Sequence, residues 1–279
     1  MSYKTIKKLV KYDLYWGILN KWKKYFIMLI LTLIITVVFI KNCQFYYALD
    51  KLDSMPGFLD YMMNIFHGMK KFIPDGKTQF EIPVEWMAFH LFIALSIGNY
   101  IIDDLEKCGI NIITRVRSRN KWIISKIIWN VVAVLSFYLV VYIVNILIAL
   151  SITGKLQLSL TYSVCNKFFE LYNVNVGHAN GLLAIIILPI LSSLAISQMQ
   201  MFLSLIVKPI VSFLIIASIL ILSAYTMSPY LIGNYSMVQR SEIFMKDGIS
   251  ILAATIVNII IIIVSVIGSI VYFNRKDII

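Results

Sequence analysis

Charge is scarce in this chain of 279 residues. Asp, Glu, Lys and Arg make up 14% of it, against about a quarter in a soluble domain, while 60% is hydrophobic and the mean hydropathy is +0.84. That composition excludes an ordinary aqueous domain and indicates an integral membrane protein. Cysteine is scarce as well: Cys43, Cys108 and Cys165 are odd in number and lack C-x-x-C spacing, which argues against a zinc site and a disulfide framework. A phosphate cradle is missing: Gly76-Lys77-Thr78 has Lys71 where the first glycine of the cradle must stand, and Gly154-Lys155 has Ala149 there and no hydroxyl after its lysine. The chain itself is therefore expected not to hydrolyse ATP and not to be an enzyme. No H-E-x-x-H is present, neither a Gly-x-Ser nor an aspartate pair stands in mid-span, and His67, His90 and His178 are dispersed, so no catalytic residue, metal or cofactor is assigned. Titratable groups within apolar runs are few. His90 and Glu85 stand near one end of a run, and Lys126 is placed to snorkel to a surface, which disfavours an ion-coupled carrier.

What the chain does have is apolar length. Six runs approach the twenty or so residues that cross a bilayer: 25–40, 86–102, 127–150, 181–207, 210–227 and 249–273. Only Lys208 and Pro209 interrupt the fourth and fifth, a stretch too long for one helix in a core of roughly 30 Å, so a tight turn is expected there. The fold class expected is an all-α membrane protein with six spans over residues 25–279, preceded by an amphipathic interfacial helix over 1–24. Ile6, Leu9, Val10 and Leu14 fall on one face of that helix, Lys4, Lys7, Lys8 and Lys11 largely on others, and Tyr12, Tyr15 and Trp16 at headgroup level.

Six spans put both termini on one side, and charge selects which. A cytoplasmic N-terminus assigns sixteen basic and five acidic residues to the inner face and nine of each to the outer, so the whole net charge of +11 is inside. The expected location is the cell membrane, with both termini cytoplasmic and with membrane lipids, not nucleic acid, as the partners of that charge. Outer loops are expected at about 41–85, 151–180 and 228–248; the first, with acids interleaved among aromatics, reads as a cap.

Polar uncharged residues recur inside the runs, including Asn99, Asn130, Asn145, Ser192, Ser193, Ser197, Gln198, Gln200 and Asn258. Most read as interhelical hydrogen bonders worth roughly 0.6 kcal/mol each. Ser193, Ser197 and Gln200 share a stripe at helical spacing and, with Asn99, are candidate pathway-lining residues.

The connector after the second run, about 103–121, reads NYIIDDLEKCGINIITRVRSRNKWIISKII from Asn99 to Ile128. Asp103, Asp104 and Glu106 precede Gly109, and Ile110, Ile112, Ile113 and Val116 then give an apolar side ahead of Arg115, Arg117, Arg119 and Lys121. This pattern resembles the type-2 permeases of ATP-binding-cassette (ABC) exporters, in which an acidic end to the second span, a glycine, a short apolar helix and a Ser-Arg pair lead into an aromatic and lysine start of the third. The matches here are Asp104, Glu106, Gly109, Ile113, Ser118, Arg119, Trp122 and Lys126. GNYSMVQRS at 233–241 and the ending YFNRKDII look similar to the same family, so the resemblance covers the whole chain. The departure is the absence of the proline that many relatives carry where Val116 or Arg117 stands.

The resemblance implies a half-sized permease that pairs with a second copy or a related permease and binds separate ABC ATPase subunits, which hold the ATP and magnesium. ATPase coupling would fall on Asp103, Asp104, Glu106, Gly109, Ile110, Ile113, Thr114 and Arg115. Relatives of this size export amphipathic peptides, antimicrobial ones included; others move drugs or lipids. A regulatory or sensory membrane subunit without transport is the alternative from a different class.

Overall fold

A computed structural model describes residues 3–74, 79–171 and 178–275. The described residues are mostly helical and contain no β-strand, only an isolated bridge between Ser241 and Ile249. In chain order the helices are α1 (Tyr3–Gly17), α2 (Trp22–Ala48), α3 (Phe58–Phe66), α4 (Val84–Gly98), α5 (Tyr100–Asp104), α6 (Ile110–Val116), α7 (Arg119–Thr153), α8 (Tyr162–Phe169), α9 (His178–Leu182), α10 (Leu188–Ile206), α11 (Pro209–Tyr225) and α12 (Ile251–Arg275). Two π-helical turns, Leu105–Gly109 and Leu183–Ile187, join α5 to α6 and α9 to α10.

Among the described residues, five helical stretches are long and apolar enough to cross a membrane: Lys4–Ala48, Val84–Val116, Arg119–Thr153, Asn180–Ile206 and Ile251–Arg275. The fifth expected run differs. It forms α11, which ends at Tyr225, and its 17 residues rise only about 25 Å. The expected turn before it is present: α10 ends at Ile206, Val207 is extended, and Pro209 opens α11 where its missing N–H costs nothing.

Helix α10 is the centre of the bundle, in contact with α4, α7, α11 and α12. Its polar stripe explains why. Ser192 accepts from Asn258 on α12 at 3.0 Å, Ser193 pairs with Tyr138 on α7 at 2.8 Å, Ser197 donates to Asn130 on α7 at 2.8 Å, and Ser204 pairs with Ser212 on α11 at 2.7 Å. Gln200 lies against Gly98 of α4, where any Cβ would overlap the amide. Three of the four pathway candidates are thus buried between helices of this chain, and Asn99 is exposed at the break between α4 and α5. His90 is buried too, its Nδ1 2.9 Å from the Trp86 carbonyl oxygen and its ring against the indole, within its own helix.

At the end of the bundle that carries α3 and α8, α3 packs against α2, α4 and α7, and residues 75–78 of the segment expected as a cap lie outside the described residues. Asp60 ties that end together, accepting from the Gly57 N–H at 2.8 Å, the Thr161 N–H at 3.0 Å and the Thr161 hydroxyl at 2.7 Å. Burial outweighs those three donors and pushes its carboxyl up to about 6. Cys43 and Cys165 are buried free thiols in the same apolar cluster. Of the second outer loop, residues 172–177 lie outside the described residues.

Candidate functional site

The opposite end brings together α1, the α5–α6 segment, the start of α7 and the end of α12. The segment is not a loop. After Gly98 the chain stays helical through α5, widens into the π turn Leu105–Gly109 and closes with α6, whose last turn is stopped by Arg117 in a left-handed conformation with φ of 51°. That left-handed residue ends the helix where relatives are expected to use proline. No residue of α6 is buried, and Ile110 is 43% exposed.

The acidic trio separates by helical rotation. Asp103 and Glu106 are exposed, whereas Asp104 turns inward and is 7% exposed. There it meets Lys126 of α7, with Nζ 2.6 Å from its Oδ2, and the same ammonium contacts Oδ1 of Asp13 on α1. Lys126 and Asp13 are each 1% exposed. The expected snorkelling of Lys126 is therefore not what the structure has: the side chain turns into the protein, because two carboxylates offer a charged partner that the long stem need not seek at the surface. Tyr100 donates to Asp13 at 3.0 Å and Tyr12 to Asp104 at 3.3 Å. Lys126 Nζ lies 4.9 Å from the centroid of the Trp122 ring and 5.0 Å from that of Tyr100.

Aromatic packing fixes this ion cluster. Tyr100 stacks on Trp129 with centroids 3.9 Å apart, and Gly17, the last residue of α1, lies so close to the Trp129 indole that any side chain there would collide with it. Gly109 serves a similar end. A Cβ there would stand 3.3 Å from the Trp122 ring and 3.1 Å from the Asp104 carbonyl oxygen. The close approach that glycine permits thus includes one to α7 of the same chain. Ile113 and Ile112 also pack inward, against the cluster of Ile101, Trp122, Ile123 and Phe273. Thr114 donates to the Asn111 carbonyl at 2.9 Å and Arg115 is exposed.

The C-terminal motif closes the other side. Trp122 stacks on Phe273 with centroids 4.8 Å apart, Arg119 donates to the Asn274 carbonyl at 3.1 Å, and the Asn274 amide donates to Asn120 at 2.5 Å. Residues 276–279 of that motif lie outside the described residues. In chemical terms the described residues of the site bring together no nucleophile and general base open to a substrate. The site is a rigid joint in which three helices share one buried ammonium, with α6 projecting from it.

Two residues central to the molecule escaped the sequence reading. Asp13 is the single acid of α1 and was assigned no role. Arg240, in the GNYSMVQRS segment at the far end, is fully buried and donates to the carbonyls of Met69, Lys70, Ser223 and Ala224 and to the Asn234 side chain. Burial lowers its guanidinium to about 10, still protonated at neutral pH. Two of its acceptors are last-turn carbonyls of α11, so the guanidinium caps that helix.

The chain belongs to a family described as a protein of unknown function (DUF2705), whose model matches residues 34–279. The match begins within α2, so it takes in Asp104 and Lys126 but not the helix that carries Asp13. No curated protein and no solved structure matches.

Proposed function

We propose that this protein is the membrane-spanning permease subunit of an ABC exporter, driven by separate ATPase subunits and moving amphipathic or antimicrobial peptides out of the cell. In this reading six helices cross the cell membrane, α11 included, and the end with α1 and α6 faces the cytoplasm, as the concentration of net positive charge on that side requires. A second copy or a related permease completes the translocation path.

The observation that carries the reading is the joint. Helix α6 is a short, exposed helix on the stem of a π turn, and that stem is bound to α7 and α1 by Asp104, Lys126 and Asp13. A force applied to α6 by nucleotide-driven closure of the ATPases would therefore reach two other helices without an intervening flexible linker. Breaking the buried ion cluster costs more than moving it as a body, so the joint favours rigid displacement between two states. Ile110 is the apolar residue α6 presents outward, which makes it the docking contact in place of Ile113.

The test is co-purification. The chain should retain an ABC ATPase in mild detergent, hydrolysis should belong to that partner, and replacing its phosphate-binding lysine should abolish peptide export. Ile110→Asp should release the ATPase or uncouple hydrolysis from transport while the permease remains folded and inserted. Retention of the ATPase with unchanged substrate-stimulated hydrolysis by Ile110→Asp, or export by the chain without any ATPase, would refute the proposal.

A further inference from the structure

Between α1, the turn that follows it and the α5–π segment lies a cavity of about 260 Å³. Its residues are ordered by depth. Asp104 is the buried anion at its base, and the cluster behind it sets two carboxylates, Asp13 and Asp104, against the single ammonium of Lys126. Tyr12 and Tyr100 supply aromatic faces beside it, and Trp16, 46% exposed, supplies one nearer the mouth. Asn20, Lys21, Asp103 and Lys107 stand exposed at the rim, where two ammonium groups outnumber one carboxylate. Outside the mouth, α2 begins with Trp22 and Phe26, 60% and 53% exposed, on the apolar surface that the bilayer would cover.

We propose that this cavity binds the headgroup of a phospholipid ending in a primary ammonium, of the phosphatidylethanolamine type. The order of groups in such a lipid is ammonium, phosphate, glycerol, acyl chains. The order met from base to mouth is carboxylate with aromatic faces, two lysines, then exposed apolar helix. An ammonium at the base supplies the positive charge that the two carboxylates and one lysine leave uncompensated, donates to Asp104 and lies against aromatic faces. The phosphate falls to Lys21 and Lys107. A choline headgroup has the charge but no N–H to donate, and a glycerol headgroup lacks the cation, so the site discriminates among lipids that share a phosphate. Occupancy would fill the angle between α1 and α5 and hold the interfacial helix on the bundle. The inference rests on the membrane placement in the reading above and not on ATPase coupling, so loss of ATPase pairing leaves it standing.

The test uses the full chain in detergent, stripped of lipid, with dioleoyl phosphatidylethanolamine, phosphatidylcholine or phosphatidylglycerol returned at equal mole fraction. Cys108 lines the cavity and is the exposed one of the three cysteines, so its maleimide labelling reports occupancy in the unaltered protein. The ethanolamine lipid should slow labelling and raise the melting temperature more than the other two. Lys21→Gln with Lys107→Gln should weaken retention about fivefold for each lysine, read by native mass spectrometry, without changing the melting temperature of the lipid-free protein. Equal protection by all three lipids, or undiminished retention by the double variant, would overturn the site. If water-soluble phosphoethanolamine protects Cys108 as well as the lipid does at equal concentration, the lipid assignment falls. Failure of the ATPase to co-purify would bear on the exporter reading alone.

Discussion

Replacing Lys126 by methionine keeps the length of the side chain and removes the charge that Asp13 and Asp104 share. Both carboxylates stay where water does not reach, Asp13 at 1% exposure and Asp104 at 7%. Removing one partner of a buried ion pair costs about 3–5 kcal/mol, and uptake of a proton by one of the two carboxylates holds the loss within that range. The cheapest escape is for α1 to leave the bundle, because Asp13 then reaches water without disturbing a membrane span. At about 1.4 kcal/mol per decade, the detached population should rise by roughly two to more than three orders of magnitude. Leu9, 7% exposed on α1, gives the probe: with Cys108 changed to Ser, a cysteine at Leu9 should react slowly with maleimide in the parent and far faster in Lys126→Met. Adding Asp13→Asn and Asp104→Asn to Lys126→Met removes the stranded charges and should restore most of the protection, a non-additivity expected only of groups in direct contact. If Lys126→Met leaves both the labelling rate and the melting temperature of the parent, the ion cluster does not hold α1 and the rigid-joint argument fails with it.

The other expectations follow from single groups. Arg240→Met uncaps α11 and strands the carbonyls of Ser223 and Ala224; it should cost about 3 kcal/mol or more, with amide exchange accelerating in the last turn of α11 before it does in α7. Asp60, pushed up to about 6 by burial, is disfavoured in its ionised form, so its contribution to stability is full below the ordinary carboxylate value and is lost as pH rises through about 6. Buried His67, whose burial lowers it, acts in the opposite sense, so the measurement is the difference in melting temperature between the parent and Asp60→Asn across pH 4–8, which should shrink towards alkaline pH; a flat difference would refute the assignment. For orientation, a cysteine replacing exposed Asn111 should label only after the membrane is permeabilised and one replacing exposed Lys51 should label on intact cells; the reverse would invert the topology.

The sequence made the helices legible because apolar length is a one-dimensional property: a long helix over 127–150, which the structure extends to Arg119–Thr153, and the turn at Lys208 and Pro209 need only local counting. The site was legible in outline for the same reason, since a glycine between acids and an apolar stretch marks a break followed by a short helix. The pairings were not. Lys126 and Asp13 are separated by 113 positions, and nothing within a helical turn of either residue names the other. Asp103, Asp104 and Glu106 look equivalent in the chain, and only the rotation fixed by the packing of Tyr100 on Trp129 decides that Asp104 alone points inward. Gly109 and Ile113 also make contacts within the chain, to Trp122 and its cluster, that the pattern did not show, because a sequence pattern gives a helix its faces without saying which of them is already covered.

Arg240 shows what a stricter accounting of the sequence would have found. An arginine among apolar residues must bring acceptors for its N–H groups, and the carbonyls left open at the end of a membrane helix are the nearest supply. The apolar run into α11 continues to Met227, yet the helix stops at Tyr225, where its last turn meets the guanidinium. Rising about 25 Å, α11 falls short of a hydrocarbon core of roughly 30 Å, so its capped end would lie below the surface and its carbonyls could not rely on water. The two short 3₁₀ turns at Ile232–Ser236 and Val238–Arg240 fold back over that end, and Gly233 sits against Ser223 where no larger residue fits. A helix of ordinary composition is thereby made short by a side chain that arrives from beyond it. Length alone therefore counts five spanning helices among the described residues and leaves out α11, whose last-turn carbonyls Arg240 satisfies.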